Sequence, residues 1–165
     1  VGANLGMYAC LAADLGCTVH AFEPTNVVAD QLEDNVARND ADVTVHRVGL
    51  SDKALEMEAD INMNWAANTK RLEMVHGDEL IDGGPLDPPT AVKIDVDGGE
   101  LRVLRGLRNA LAADRCRLVY CEVHPEYMAD LGDDHEDVAA ELRDLGFDVE
   151  RIDERGHQYH LCAEK

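Results

Sequence analysis

Apolar positions in this chain fall into two alternating rhythms: short unbroken runs, and longer stretches in which they recur every three or four residues. Strands interleaved with amphipathic helices give that pattern, and so predict an α/β fold. Met7 to Leu15 reads as a helix. Thr18 to Phe22 reads as a short strand that ends at Glu23-Pro24, because proline cannot continue a hydrogen-bonded ladder. Thr25 or Asn26 then caps a helix with Val28, Leu32 and Val36 on one face, closed by Asn39 and Asp40. Val43 to Val48 forms a third strand. Leu55 to Ile61 alternates apolar and polar residues, the pattern of an exposed antiparallel strand. Asn62 to Lys70 reads as loop, Leu72 to Val75 as a returning strand, and Asp78 to Ile81 as a single helical turn.

The second half is sharper. Ala91 to Asp95 is a buried strand, and Gly98-Gly99 turns the chain into one long helix faced by Leu101, Val103, Leu104, Leu107 and Leu111. Cys116 to Val123 is the next strand, followed by a helix from His135 to Leu145 that Gly146 stops. Phe147 to Ile152 and Gln158 to Ala163 make a terminal hairpin across Asp153 to Gly156. The expected architecture is a mostly parallel sheet with a C-terminal antiparallel hairpin, one antiparallel strand lying near an edge. A single domain over residues 1–165 accommodates all of it.

Charge narrows the partners. Asp and Glu number 34 against 15 Lys and Arg, a net charge of −19. Such a field repels polyanions, so a nucleic-acid partner is not expected. The acids are spread through every segment and lysine is confined to Lys53, Lys70, Lys93 and Lys165, so the composition resembles halophilic proteins, whose self-repulsion salt screens. No run of apolar residues is long enough for a membrane span. The five cysteines form no C-x-x-C pair; Cys116 and Cys121 read as small buried hydrophobes within a strand and Cys17 as the start of another. An odd count favours a reducing, cytoplasmic setting.

Two places carry candidate chemistry. The opening Val1-Gly2-Ala3-Asn4-Leu5-Gly6 runs directly into a helix, and its two glycines let backbone approach a ligand closely. Glu23 stands at the tip of the next strand, placed to accept both ribose hydroxyls of a nucleoside. A dinucleotide site needs a middle glycine where Asn4 stands, so S-adenosylmethionine, which lacks phosphate, is favoured over NAD. The other place is formed by Lys93, Asp95 and Asp97 and by Glu122 and His124, at the ends of two central strands.

These segments together resemble the FkbM family of methyltransferases. The resemblance runs through Val1 to Tyr8, Ala21-Phe22-Glu23-Pro24 with Asn35 and Asn39, Gly49 to Asp52, Gly77 to Leu80, Val92 to Gly106, and Glu122-Val123-His124. Asp97 and Gly99 depart mildly from the family's usual Glu and Ala. The resemblance implies a Rossmann-like class I methyltransferase fold. It also implies a strand ending in Asp just before Val1, so the first strand is expected to be missing and the domain N-terminally incomplete. By the same resemblance Gly2, Ala3, Asn4 and Gly6 would line the methionine part of S-adenosylmethionine. Glu23, with Pro24, would hold the ribose, and Leu50, Ser51 and Asp52 would lie beside the adenine.

The implied reaction is O-methylation of a hydroxyl on a sugar, polyketide or lipid-linked glycan. Such a hydroxyl must lose a proton; His124 is the candidate base, with Asp95 and Glu122 beside the methyl position as further catalytic candidates. Mg²⁺ held by Asp95, Asp97 and Glu122 is the alternative, unless Asp97 merely caps the helix after Gly98. Trp65 is a candidate lid over an acceptor, whereas His157-x-x-His160 places its rings on opposite strand faces and is not expected to bind metal. His20, His46, His76 and His135 read as solvated or singly satisfied, and Arg102, Arg105 and Arg108 as a solvated helix face balancing acids. A nucleoside-binding module without catalysis, or an NAD-dependent oxidoreductase, remains the competing reading. Oligomeric state is not legible.

Overall fold

The computed structural model describes residues 1–63 and 66–165, with side chains described outside 59–70. It divides into two compact units, Val1–Gly49 with Ala54–Val75, and Leu50–Lys53 with His76–Lys165. In the first unit, helix α1 (Met7–Asp14) leads to strand β1 (Val19–Phe22), helix α2 (Asn26–Arg38) and strand β2 (Val43–His46). β1 and β2 pair in parallel, Val19 opposite Val43 and Phe22 opposite His46. Ala9, Ala21 and Leu32 form a small core there, with Ala3, Val19, Val36, Val43 and Val45 packed against it. The outer side of α1 leaves Met7, Tyr8, Leu11 and Leu15 exposed.

One glycine determines how α1 meets α2. Gly6 has φ +88, and a Cβ there would fall 2.4 Å from Leu32 Cδ1. Only a residue without a side chain allows both the left-handed turn and the close contact.

Strands β4 (Leu55–Met63) and β5 (Ala66–His76) follow the short strand β3 (Gly49–Ser51). They pair antiparallel without interruption, from Leu55 opposite Met74 to Met63 opposite Ala66. The returning strand is therefore much longer than its apolar stretch suggested, and the loop expected over 62–70 is largely ladder. Once a hairpin register is set, each further backbone N–H and C=O finds a partner by extending it, whatever the side chains.

The second unit holds a four-stranded sheet in the order β6 (Ala91–Ile94), β7 (Leu118–Val123), β9 (Gln158–Glu164), β8 (Asp148–Arg155). β6 and β7 are parallel, and β9 is antiparallel to both of its neighbours. Hence β6, β7 and β8 share one direction and β9 alone opposes them, one place in from the edge. Helices α3 (Gly77–Ile81), α4 (Glu100–Gly106), α5 (Arg108–Ala112), α6 (Pro125–Asp130) and α7 (Glu136–Asp144) complete the unit. Leu101, Leu104, Leu111, Val119, Cys121, Val123, Met128 and Leu142 are almost wholly buried.

Several boundaries differ from expectation. The long helix breaks at Leu107, whose backbone (φ −109, ψ 17) leaves the helical region just after Gly106. The hairpin strands extend through Arg155 and restart at Gln158, with a register shift between Arg151 and Asp153, so the turn shrinks to Gly156-His157. Strand β7 begins at Leu118 rather than Cys116, and Cys17 is exposed outside any strand, although Cys116 and Cys121 are buried as expected. Helix α6 was not anticipated; its signal is Pro125 at the first helical position. Among the described residues no helix is long and apolar enough to cross a membrane.

Candidate active site

In the first unit the chain enters through a left-handed turn, with φ of 70 at Gly2, 49 at Asn4 and 88 at Gly6. Ala3 N–H donates to the Phe22 carbonyl at 2.9 Å, which fastens the turn to the end of β1. Glu23 follows that carbonyl and is only 7% exposed. Its carboxylate accepts the N–H of Asn4 at 3.1 Å and that of Thr25 at 3.0 Å. A carboxylate offers about four lone-pair sites. The two backbone donors leave capacity for a vicinal diol, so the residues present fit a ribose. Pro24, half-buried, lies against Gly49, where a Cβ would come 3.4 Å from its Cγ.

In the second unit, Leu50 and Ser51 are buried, and Ser51 Oγ donates to Asp52 Oδ1 at 3.2 Å. The same unit contains the acid–imidazole cluster. Parallel pairing sets Ile94 opposite Cys121, so Asp95 and Glu122 leave neighbouring strands at the same end, with His124 just beyond β7. One ligand atom each from Asp95, Glu122 and His124 lies within 4.8 Å of the others. Lys93 Nζ donates to Asp95 Oδ2 at 2.6 Å. His124, 8% exposed, has Nδ1 2.6 Å from Glu100 Oε1, while Nε2 stands 3.8 Å from Glu122 and 3.9 Å from Asp97. Burial alone would pull the His124 pKa down. The hydrogen bond and charge of Glu100, aided by Asp97 and Asp95, outweigh it and raise the pKa above 6.5.

Asp97 proves to be no helix cap. Its side chain is 86% exposed, and the N-cap of α4 is Gly99, two residues further on. Glu100 accepts the Gly98 N–H instead, at 3.3 Å. The donor set also does not fit Mg²⁺, which asks for near-octahedral oxygen ligands. Asp95 is already ion-paired with Lys93, Asp97 faces solvent, and His124 contributes a nitrogen.

A profile of the methyltransferase FkbM domain matches residues 1–149. The chain belongs to the FkbM methyltransferase family. Over 132 residues it is 33% identical to the hexuronic acid methyltransferase AglP of Haloferax volcanii, covering 75% of this chain and 54% of that protein. Among solved structures it resembles the methyltransferase FkbM of Methylobacillus flagellatus, with a TM-score of 0.66 at 19% identity over 98% of this chain and 41% of that one. It also resembles magnesium protoporphyrin IX methyltransferase (ChlM) of Synechocystis with bound SAH, with a TM-score of 0.57 at 12% identity over 99% and 71% of the two chains. The fold is the Rossmann-like one of class I methyltransferases. This FkbM chain spans about half the length of the curated relative it matches, 54%.

Two residues of the FkbM cluster escaped sequence reasoning. Glu100, in the first turn of α4, is fully buried against His124. His160 is 6% exposed, and its Nε2 lies 3.2 Å from Glu122 Oε2 because the β7–β9 register sets Glu122 opposite His160. Gln158 also donates to Glu122. Only the hairpin register could have revealed either partner of Glu122.

His157 lies in the hairpin turn rather than in a strand and is exposed, whereas His160 in β9 is buried, so strand alternation does not relate their rings. His20 and His46 are bonded to each other at 3.0 Å rather than singly satisfied, and burial followed by the His20 charge lowers the His46 pKa. Arg102 and Arg108 balance acids as expected, pairing with Asp133 and Glu141 respectively. Trp65 lies outside the described residues.

Proposed function

We propose that this protein transfers the methyl group of S-adenosylmethionine to a hydroxyl oxygen of a saccharide. The observation that carries the reading is the buried Glu23 carboxylate held against the Asn4 N–H of the opening turn. That pairing of a carboxylate with a left-handed backbone turn suits an adenosyl ribose and a neighbouring polar group without phosphate. A relative named for hexuronic acid supports a sugar as the acceptor class.

S-adenosylmethionine, when bound, would supply an electrophilic sulfonium methyl, from which an oxygen nucleophile displaces the thioether. Glu23 accepts the ribose hydroxyls, and Gly2, Ala3, Asn4 and Gly6 present backbone to the amino-acid portion. Leu50, Ser51 and Asp52 are proposed beside the adenine. His124 takes the hydroxyl proton on Nε2, the nitrogen not bonded to Glu100. Asp95 and Glu122 stabilise the imidazolium that results, being the carboxylates clustered with it. The C–S bond breaks as the O–C bond forms, and the donor leaves as a neutral thioether.

The test is calorimetry with S-adenosylmethionine, followed by transfer of radiolabelled methyl to a panel of neutral and uronate-containing oligosaccharides. Donor binding and an alkali-stable methyl ether are expected. An alkali-labile product would mean that a carboxylate is methylated instead, and failure to bind the donor would end the reading.

A further inference from the structure

We infer that Glu100 is the positioning residue for His124: it fixes the imidazole in the tautomer with hydrogen on Nδ1 and leaves the Nε2 lone pair as the proton acceptor. The assignment rests on the proposed methyl transfer for its purpose, but on geometry for its content. Glu100 is 0% exposed, its Oε1 lies 2.6 Å from His124 Nδ1, and the same oxygen accepts the Gly98 N–H at 3.3 Å. A carboxylate oxygen only accepts, and this one already receives a backbone N–H, so we assign the donor role to the imidazole nitrogen facing it. With Nδ1 carrying the hydrogen, the neutral ring can hold its lone pair only on Nε2.

The loop that carries Glu100 is shaped for this contact. Gly98 has φ +95, and a Cβ there would fall 2.7 Å from the Tyr127 carbonyl carbon. The glycine therefore lets the segment between β6 and α4 lie directly against α6, with the Tyr127 ring stacked 5.9 Å from His124. A buried carboxylate without a partner is costly, and Glu100 Oε2 has no hydrogen-bond partner among the described atoms. The imidazole is thus the one ionisable side chain that compensates Glu100 by a direct hydrogen bond among those described. An acid kept buried on that single charged contact orients a base, as the third member of a catalytic triad does.

Every charged group facing His124 bears on the test. Glu100 meets Nδ1, Glu122 and Asp97 face Nε2, Asp95 lies within the cluster, and His160 touches the far side of Glu122. Lys93 is paired with Asp95. When the acceptor hydroxyl gives its proton to Nε2, Glu100 remains ionised and faces an imidazolium. Electrons and protons balance without a further reactant.

The experiment is nitrogen NMR of protein labelled with ¹⁵N-histidine, with His124 assigned by comparison with His124→Gln. The expected spectrum shows protonated Nδ1 and a bare Nε2 above the His124 pKa. Glu100→Gln should lower that pKa by about one unit or more and mix the tautomers. It should also cut kcat for methyl transfer by about 10²–10⁴-fold with KM for S-adenosylmethionine unchanged, and Glu100→Asp should recover part of the loss. Hydrogen on Nε2 in the unaltered protein overturns the assignment, and needs no variant to fold. So does a Glu100→Gln protein whose His124 pKa and tautomer stay put. If His124→Gln retains full turnover, the proposed base is wrong, while the tautomer result still decides what Glu100 does.

Discussion

The Glu23 carboxylate accepts the Asn4 N–H at 3.1 Å, joining residues nineteen apart in sequence through a partly buried contact at the end of β1. Because the other oxygen holds the Thr25 N–H, this side chain ties the opening turn to the start of α2. Glu23→Ala should therefore have two effects. Loss of ribose acceptors should weaken S-adenosylmethionine binding by about 1–3 kcal/mol by calorimetry, and stranding two backbone donors should lower the melting temperature. Glu23→Gln, which keeps one acceptor oxygen, should fall between. A Glu23→Ala protein with unchanged donor affinity would remove the ribose assignment.

Gly6 makes a prediction about stability alone. Alanine at φ +88 is strained, and its Cβ would meet Leu32 Cδ1 at 2.4 Å in the core of the first unit. Gly6→Ala should cost about 1–3 kcal/mol in urea unfolding. Shortening the obstacle with Leu32→Ala in the same chain should relieve the clash but not the backbone strain, so the double variant should be less destabilised than the sum of the two single ones. Strict additivity would show that the packing contact does not limit this position.

What the sequence revealed, and what it hid, follows from the range of the interactions. Strand β1 ending at Glu23, helix α2 with buried Val28 and Leu32, and strand β6 ending beside Asp95 were legible because proline, apolar period and glycine act within a few residues. Asp95, Glu122 and His124 were also legible as a group, since parallel strands in this fold end together. Glu100 and His160 were not. Glu100 is identified by which side of α4 packs inward, and His160 by a cross-strand register, and neither is written in local pattern. The break at Leu107 is similar: its apolar neighbours continue the helical period straight through it.

The acidic surface predicts a response to salt. With a net charge of −19, self-repulsion opposes folding, and the screening length shrinks from about 10 Å at 0.1 M salt to about 3 Å at 1 M. The attractive surface pairs, such as Arg47 with Asp30 and Glu33, are exposed and lose little when screened. The melting temperature should rise between 0.1 and 2 M KCl. Chloride is the anion of choice because sulfate would strengthen apolar burial in any protein. A flat or falling curve would dismiss the halophilic reading.

His124 couples stability and activity to pH with opposite signs. Its folded pKa is raised above 6.5, because the Glu100 hydrogen bond and the surrounding carboxylates overcome burial. A raised imidazole stabilises the fold fully below the unfolded value, and that stabilisation is lost as pH climbs through the folded pKa. The unfolding free-energy difference between the unaltered protein and His124→Gln should therefore be largest below pH 6.5 and shrink as pH rises. The His46 ring, whose pKa is lowered, works the other way over the same range, but it is present in both proteins and drops out of the difference. Turnover needs the neutral ring, so methyl transfer should increase across the same interval in which that stabilisation disappears. Urea titrations and rate measurements over pH 5.5–8.5, roughly one to two units either side of an ordinary imidazole, would compare the two curves directly. A stability difference that grows with pH would mean that His124 is held neutral by its surroundings, which contradicts its contact with Glu100 as an ion pair.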